Sequence, residues 1–128
     1  MPEDFDRRRI LVVDDEERMV RFIRMNLEHD GFQVSEAFNG KQAIQIAKVF
    51  RPEIVLLDLG MPIFDGFDVA RQFLATPGLD KVTLVALTGR GGDEWVQRTR
   101  EAGFHYHLLK TLGPETILRF LEELTVPS

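Results

Sequence analysis

Ile54-Val55-Leu56-Leu57-Asp58 sets a carboxylate at the end of four unbroken apolar residues, and Ile10-Leu11-Val12-Val13-Asp14-Asp15 repeats the arrangement with two. A short, continuous apolar run bounded by polar residues reads as a strand covered on both faces, the usual state of a central strand in a parallel sheet. Two further runs end the same way. Val82-Thr83-Leu84-Val85-Ala86-Leu87 stops at Thr88, and His107-Leu108-Leu109 stops at Lys110. Strand ends in a parallel sheet share one edge, and that carboxyl edge is where open α/β folds bind ligands. The sequence therefore predicts that Asp14, Asp15, Asp58, Thr88 and Lys110 converge there.

Amphipathic stretches separate the runs. Strands are expected near 9–13, 33–38, 54–58, 82–87 and 106–109, with helices near 16–29, 40–50, 66–75, 92–102 and 114–124. Val20, Ile23 and Leu27, flanked by Met19 and Phe22, draw a one-sided apolar stripe, as do Ile117, Phe120, Leu121 and Leu124. Gly31, Gly78 and Gly103 stand near helix ends, where a left-handed residue is needed, and Pro114 suits a first helical turn. Strands alternating with helices, with no hairpin signal, imply right-handed crossovers. The alternating second strand fits an edge and the apolar first, third and fourth fit the interior, so the expected order is 2-1-3-4-5.

The chain has 128 residues, 44% of them hydrophobic and 29% charged, with a net charge of −5. That describes one globular domain. We expect a charged lead-in at residues 1–8 and a domain over 9–126. The acidic balance argues against direct nucleic-acid binding, which leans on clustered Lys and Arg. With no cysteine, zinc-thiolate and thiolate-nucleophile chemistry are excluded. No apolar stretch approaches the roughly 20 residues of a membrane span, and the polar start lacks the core of a signal peptide. A cytoplasmic location without membrane contact is the expectation.

Crowded carboxylates at Asp14 and Asp15, with Asp58 on the neighbouring strand end, ask for a neutralising partner. A hard divalent cation meets that need with oxygen ligands, and Mg²⁺ characteristically takes one or two carboxylates plus a phosphate oxygen. The plainer alternative is that residues 14–17 only decorate the positive end of the first helix. Asp58 tips the balance toward a metal. A carboxylate can also attack phosphorus to give an aspartyl phosphate, which then needs little beyond positioning and charge neutralisation.

Leu11-Val12-Val13-Asp14-Asp15, Leu57-Asp58 with Met61-Pro62 and Asp65-Gly66, Ala86-Leu87-Thr88-Gly89, Ala102-Gly103 and Lys110 together resemble the receiver domain of two-component response regulators, over about residues 8–124. The resemblance implies a flavodoxin-like (βα)5 doubly wound sheet. It also implies that Asp58 is the phosphoacceptor, served by a phosphohistidine on a sensor histidine kinase or phosphotransfer protein. Asp15 and Asp58 would hold Mg²⁺ directly, Asp14 through water, and the Gly60 backbone carbonyl would complete the set. Thr88 and Lys110 would contact the phosphoryl group. The family's output switch would pair Thr88 with the aromatic three residues before the lysine, here His107. A downstream protein or a second copy would dock on the helix 4–strand 5–helix 5 face. The Leu-Thr-Gly and Ala-Gly-Phe wording and His107 look like receivers fused to hybrid histidine kinases.

Two departures stand out. Thr111 replaces the proline that usually follows the lysine, so a trans Lys110–Thr111 bond is expected, because a cis bond before a non-proline residue costs ~2.5–4 kcal/mol. A looser or displaced Lys110 is the expected consequence. Gly60 and Arg90 flank the path of an attacking water, so Arg90 should govern phosphoryl lifetime. Gly89, Gly91 and Gly92 would let the segment after Thr88 move. Trp95 falls in the fourth helix, on the interaction face or in the core. His105 and His107, two apart on a strand, would make a poor transition-metal site without a third ligand. Two rival functions are an aspartate-nucleophile phosphohydrolase, which would want an acid where Gly60 stands, and a phosphorylation-independent binding module.

Overall fold

A computed structural model of the chain describes residues 8–60 and 66–125. Met61, Pro62 and Asp65 of the motif, and all of the expected lead-in except Arg8, lie outside the described residues, as does residue 126. Five parallel strands, β1 (Arg9–Val13), β2 (Gln33–Ala37), β3 (Ile54–Asp58), β4 (Thr83–Thr88) and β5 (Tyr106–Leu109), form one sheet. Their order is β2-β1-β3-β4-β5, as expected from which runs are apolar throughout. Helices α1 (Glu17–His29), α2 (Gly40–Phe50), α3 (Gly66–Ala75), α4 (Asp93–Glu101) and α5 (Pro114–Thr125) connect or follow them. A 3-10 turn, Lys110–Leu112, joins β5 to α5 and was not foreseen.

Successive strand residues point to opposite faces, and the core divides accordingly. Ile10, Val12, Ile54, Leu56, Val85 and Leu87 pack under α1 and α5 against Val20, Ile23, Leu27, Ile117 and Leu121. Leu11, Val13, Val55, Leu57, Leu84 and Ala86 face the other way, against Ala43 and Ala47 of α2 and Val69, Ala70 and Phe73 of α3. The helical stripes read from the sequence face the core, with Met19, Val20, Ile23, Leu27, Ile117 and Leu121 buried and Phe22, Phe120 and Leu124 partly buried against it. Fully burying one such Leu or Ile contributes roughly 1.5–3 kcal/mol, so these two layers hold the strand ends in register.

Gly31, Gly78 and Gly103 take positive φ of 99°, 90° and 106°, as their places near helix ends predicted. Arg51 was not anticipated. It closes α2 in the left-handed region at φ 56°, and its carbonyl accepts a 2.7 Å hydrogen bond from Arg9 Nε. The Lys110–Thr111 bond is trans, since the described residues contain no cis peptide.

Candidate functional site

Register decides the site. Val13 pairs with Leu57 across β1 and β3, so Asp14 and Asp58 emerge side by side. Asp58 pairs with Leu87 across β3 and β4, which puts Thr88 one step beyond it. Thr88 pairs with Leu109 across β4 and β5, and Lys110 follows. All five residues named from the sequence therefore lie at one edge.

The three acids come together closely: one carboxylate oxygen from each of Asp14, Asp15 and Asp58 lies within 4.8 Å of the others. Asp14 and Asp58 are buried, at 0% and 1% exposure, while Asp15 is exposed. Lys110 Nζ sits between the buried pair, 3.2 Å from Asp14 Oδ1 and 3.1 Å from Asp58 Oδ2. The expectation of a displaced lysine is thus corrected. Attraction to two carboxylates, at least one of them fully out of water, fixes the ammonium without help from a following proline. The 3-10 turn that begins at Lys110 turns its backbone toward α5 at the same point.

Electrostatics follow from that packing. Burial, and then repulsion from Asp58, push the Asp14 carboxyl up from 3.8 to about 7, although the Glu16 backbone N–H and Lys110 pull the other way. Burial opposes the charge on Lys110, yet the carboxylates of Asp14 and Asp58 together outweigh it and raise the ammonium above its ordinary value. Asp14 Oδ1 accepts from Glu16 N at 3.0 Å and from Lys110, whereas the buried Oδ2 has no hydrogen-bond partner. Lys110 lies 3.2 Å from Oδ2 too, but its geometry there makes an ion pair without a hydrogen bond. A buried carboxylate oxygen without a hydrogen-bond donor, on one of three clustered carboxylates, fits a hard divalent cation.

Asp58 is oriented from both sides. Its Oδ1 accepts from Gly60 N at 2.9 Å and its Oδ2 from Lys110. Gly60 thus touches the phosphoacceptor candidate through its N–H, a contact that any residue type but proline would allow and that sequence reading missed.

Thr88, 2% exposed, accepts from Arg90 N and from Trp95 Nε1, each at 3.0 Å. The aromatic side chain on its hydroxyl is Trp95, not His107. The His107 ring instead spans Thr99 Oγ1 at 3.3 Å and the Arg90 carbonyl at 3.1 Å. His105 Nδ1 accepts from Leu84 N at 3.1 Å, so the two histidines are engaged separately and share no metal site among the described residues. Trp95 belongs partly to the core, as its alternative reading had it, packing edge-on to Phe67 at 5.5 Å.

The sheet order, the acid cluster and the bridging lysine coincide with a family model, "Response regulator receiver domain", that matches residues 10–122. The chain belongs to the response regulator receiver domain family. Among curated relatives, this receiver is 38% identical over 115 residues to the transcriptional regulatory protein ResD of Bacillus subtilis (87% of the chain, 45% of the relative). It is 35% identical over 114 residues to the transcriptional regulatory protein SrrA of Staphylococcus aureus (86% and 45%). The chain thus spans less than half the length of these relatives. Among solved structures, the chemotaxis protein CheY4 of Vibrio cholerae superposes with a TM-score of 0.83 at 25% identity, covering 91% of this chain and 98% of that one. No helix among the described residues is long and apolar enough to cross a membrane.

Proposed function

We propose that this receiver is a Mg²⁺-dependent phosphoacceptor, taking a phosphoryl group from a phosphohistidine on a sensor histidine kinase or phosphotransfer protein and acting as a conformational switch. One observation carries the reading: Lys110 reaches across the sheet edge to bridge Asp14 and Asp58, beside a third carboxylate. Asp14, Asp15, Asp58 and the Gly60 carbonyl would hold the cation, Asp14 through water. When bound, Mg²⁺ supplies charge neutralisation for the crowded acids and for a phosphoryl oxygen.

The residues do the rest. A carboxylate oxygen of Asp58 forms the new P–O bond as the P–N bond of the donor breaks, and the departing imidazole takes a proton from solvent. Gly60 N–H orients the carboxylate, Lys110 balances charge on a second phosphoryl oxygen, and Thr88 donates to the third. The domain thereby assists its own phosphorylation and dephosphorylation and transforms no external substrate. Gly60 leaves no acid two positions after Asp58, which counts against a phosphohydrolase.

Kinship with transcriptional regulatory proteins favours an output that regulates transcription over the hybrid-kinase setting suggested by His107. With a net charge of −5, the receiver itself would contact protein, not nucleic acid. The α4–β5–α5 face suits that contact, or a homodimer: Tyr106, packed on Phe120 at 5.3 Å, stays 42% exposed there. A cytoplasmic location accords with a kinase partner. The test is intact-mass spectrometry after incubation with acetyl phosphate or phosphoramidate and Mg²⁺. One phosphoryl group should appear on the wild type, vanish with chelator and be absent from Asp58→Ala. Uptake by Asp58→Ala equal to wild type would refute the proposal.

A further inference from the structure

Thr88 Oγ1 is an acceptor twice over, from Arg90 N and from Trp95 Nε1, both at 3.0 Å. A hydroxyl oxygen has two lone pairs and one hydrogen. Both lone pairs are therefore committed, and the hydrogen is all that the hydroxyl has left to offer. A phosphoryl oxygen is an acceptor only, so a hydroxyl held in this way is matched to it, whereas a freely rotating one spends part of its time presenting lone pairs.

The backbone N–H of Arg90 comes with the turn after β4, and any residue but proline there would provide it. The indole N–H does not come with the fold. It arrives because Trp95 stands in the first turn of α4 and its ring is fixed on several sides. Phe67 meets it edge-on at 5.5 Å and 82°, Arg90 lies over it at 4.4 Å and Arg98 at 5.3 Å. Arg98 is tied in turn to the Phe67 ring at 4.5 Å. A ring held by an aromatic edge and two guanidinium groups keeps its N–H aimed without relying on the hydrogen bond itself.

We propose that Trp95 is a positioning residue for phosphoryl transfer: its indole N–H occupies the second acceptor site of Thr88 and so commits that hydroxyl to donation. The proposal rests on the phosphoacceptor reading above. It assigns Trp95 no contact with the phosphoryl group.

The chain has a single tryptophan, so one indole cross-peak in a ¹H–¹⁵N spectrum reports this bond alone. In the metal-free protein Thr88→Val should move that peak upfield and speed its exchange with water, while Thr88→Ser, which keeps the oxygen, should leave it near the wild-type position. Trp95→Phe keeps an aromatic ring and removes the N–H. At saturating Mg²⁺ it should slow phosphorylation of Asp58 by acetyl phosphate roughly two- to tenfold, the span expected for one lost hydrogen bond. An indole peak indifferent to Thr88→Val would overturn the proposal, even if Trp95→Phe failed to fold. Equal phosphorylation rates for wild type and Trp95→Phe would overturn it as well. A wild type that takes up no phosphoryl group would instead overturn the phosphoacceptor reading itself, so the two failures are separable.

Discussion

Asp14→Asn should stabilise the metal-free domain, and the gain should depend on pH. Asp14 is fully buried, and burial together with the Asp58 charge raises its carboxyl from 3.8 to about 7. Between those values the folded protein binds a proton that the unfolded chain has released. Stability therefore falls as pH rises through this window and levels off above about 7. At ~1.4 kcal/mol per pH unit, the full penalty of the charged group is roughly 4 kcal/mol. Lys110 and Asp58 share the charge with Asp14, and asparagine forfeits the attraction to Lys110. A net gain of about 1–3 kcal/mol at pH 8 is therefore the expected share of that penalty.

Asparagine keeps Oδ1 for the Glu16 N–H and removes the charge from the Oδ2 position, which is ion-paired with Lys110 but has no hydrogen bond. Urea denaturation in the presence of a chelator measures the effect, with the midpoint moving at constant slope. The advantage over wild type should be near zero at pH 4, grow to its plateau by pH 8, and shrink when Mg²⁺ is added, since the cation relieves repulsion only in the wild type. An Asp14→Asn protein no more stable than wild type at pH 8, or an advantage unchanged from pH 4 to 8, would refute the electrostatic account.

Two other perturbations probe the frame of the site. A Cβ at Gly66 would lie 2.5 Å from Leu59 Cδ2, 3.0 Å from Leu59 Cα and 3.2 Å from the Asp58 carbonyl. Two of these neighbours are backbone, so Gly66→Ala should cost about 1–3 kcal/mol in denaturation and slow phosphorylation by displacing Asp58; a fully active, equally stable variant would contradict this. His107→Ala removes the hydrogen-bond partner of the Arg90 carbonyl. Amide exchange of residues 89–92 should accelerate with a global stability loss of only about 1 kcal/mol, whereas unaltered exchange would show that the histidine does not restrain the segment.

The acid-lysine cluster was legible because its members end or directly follow three strands, Asp14 and Asp15 after β1, Asp58 at the end of β3 and Lys110 after β5. Unbroken apolar runs identify central strands, their last residues must meet at one edge, and registry then brings Asp14 beside Asp58. The helical stripes were legible for the same reason, as the periodicity that reveals them is the one that buries them. Arg51 was harder to see, for an arginine in the left-handed region carries no glycine signal, although Pro52 behind it marks a helix stop. The partners of Thr88 and His107 were beyond reach. Helical spacing assigns Trp95 to a face of α4, but whether its N–H reaches β4 depends on how Phe67, Arg90 and Arg98 seat the ring. The proline argument at Lys110 failed because it weighed a local backbone preference and left out the pull of two carboxylates contributed by distant strands.

Arg90 gains significance from these contacts. Sequence reading placed it beside the path of an attacking water, but its observed bonds tie three elements together. Its N–H donates to Thr88, its carbonyl accepts from His107 of β5, and its guanidinium lies over Trp95 of α4. Any displacement of the Thr88 hydroxyl must stretch 3.0 Å bonds to both Arg90 and Trp95, and a shift of Arg90 is felt directly at the His107 ring. A change at the Asp58 edge therefore has two routes outward, one through Trp95 into α4 and one through the Arg90 carbonyl into β5. Because both begin at one hydroxyl, the proposed switch would move α4 and β5 together, and the surface that they share with α5 is where a phosphorylation-dependent partner would have most to read.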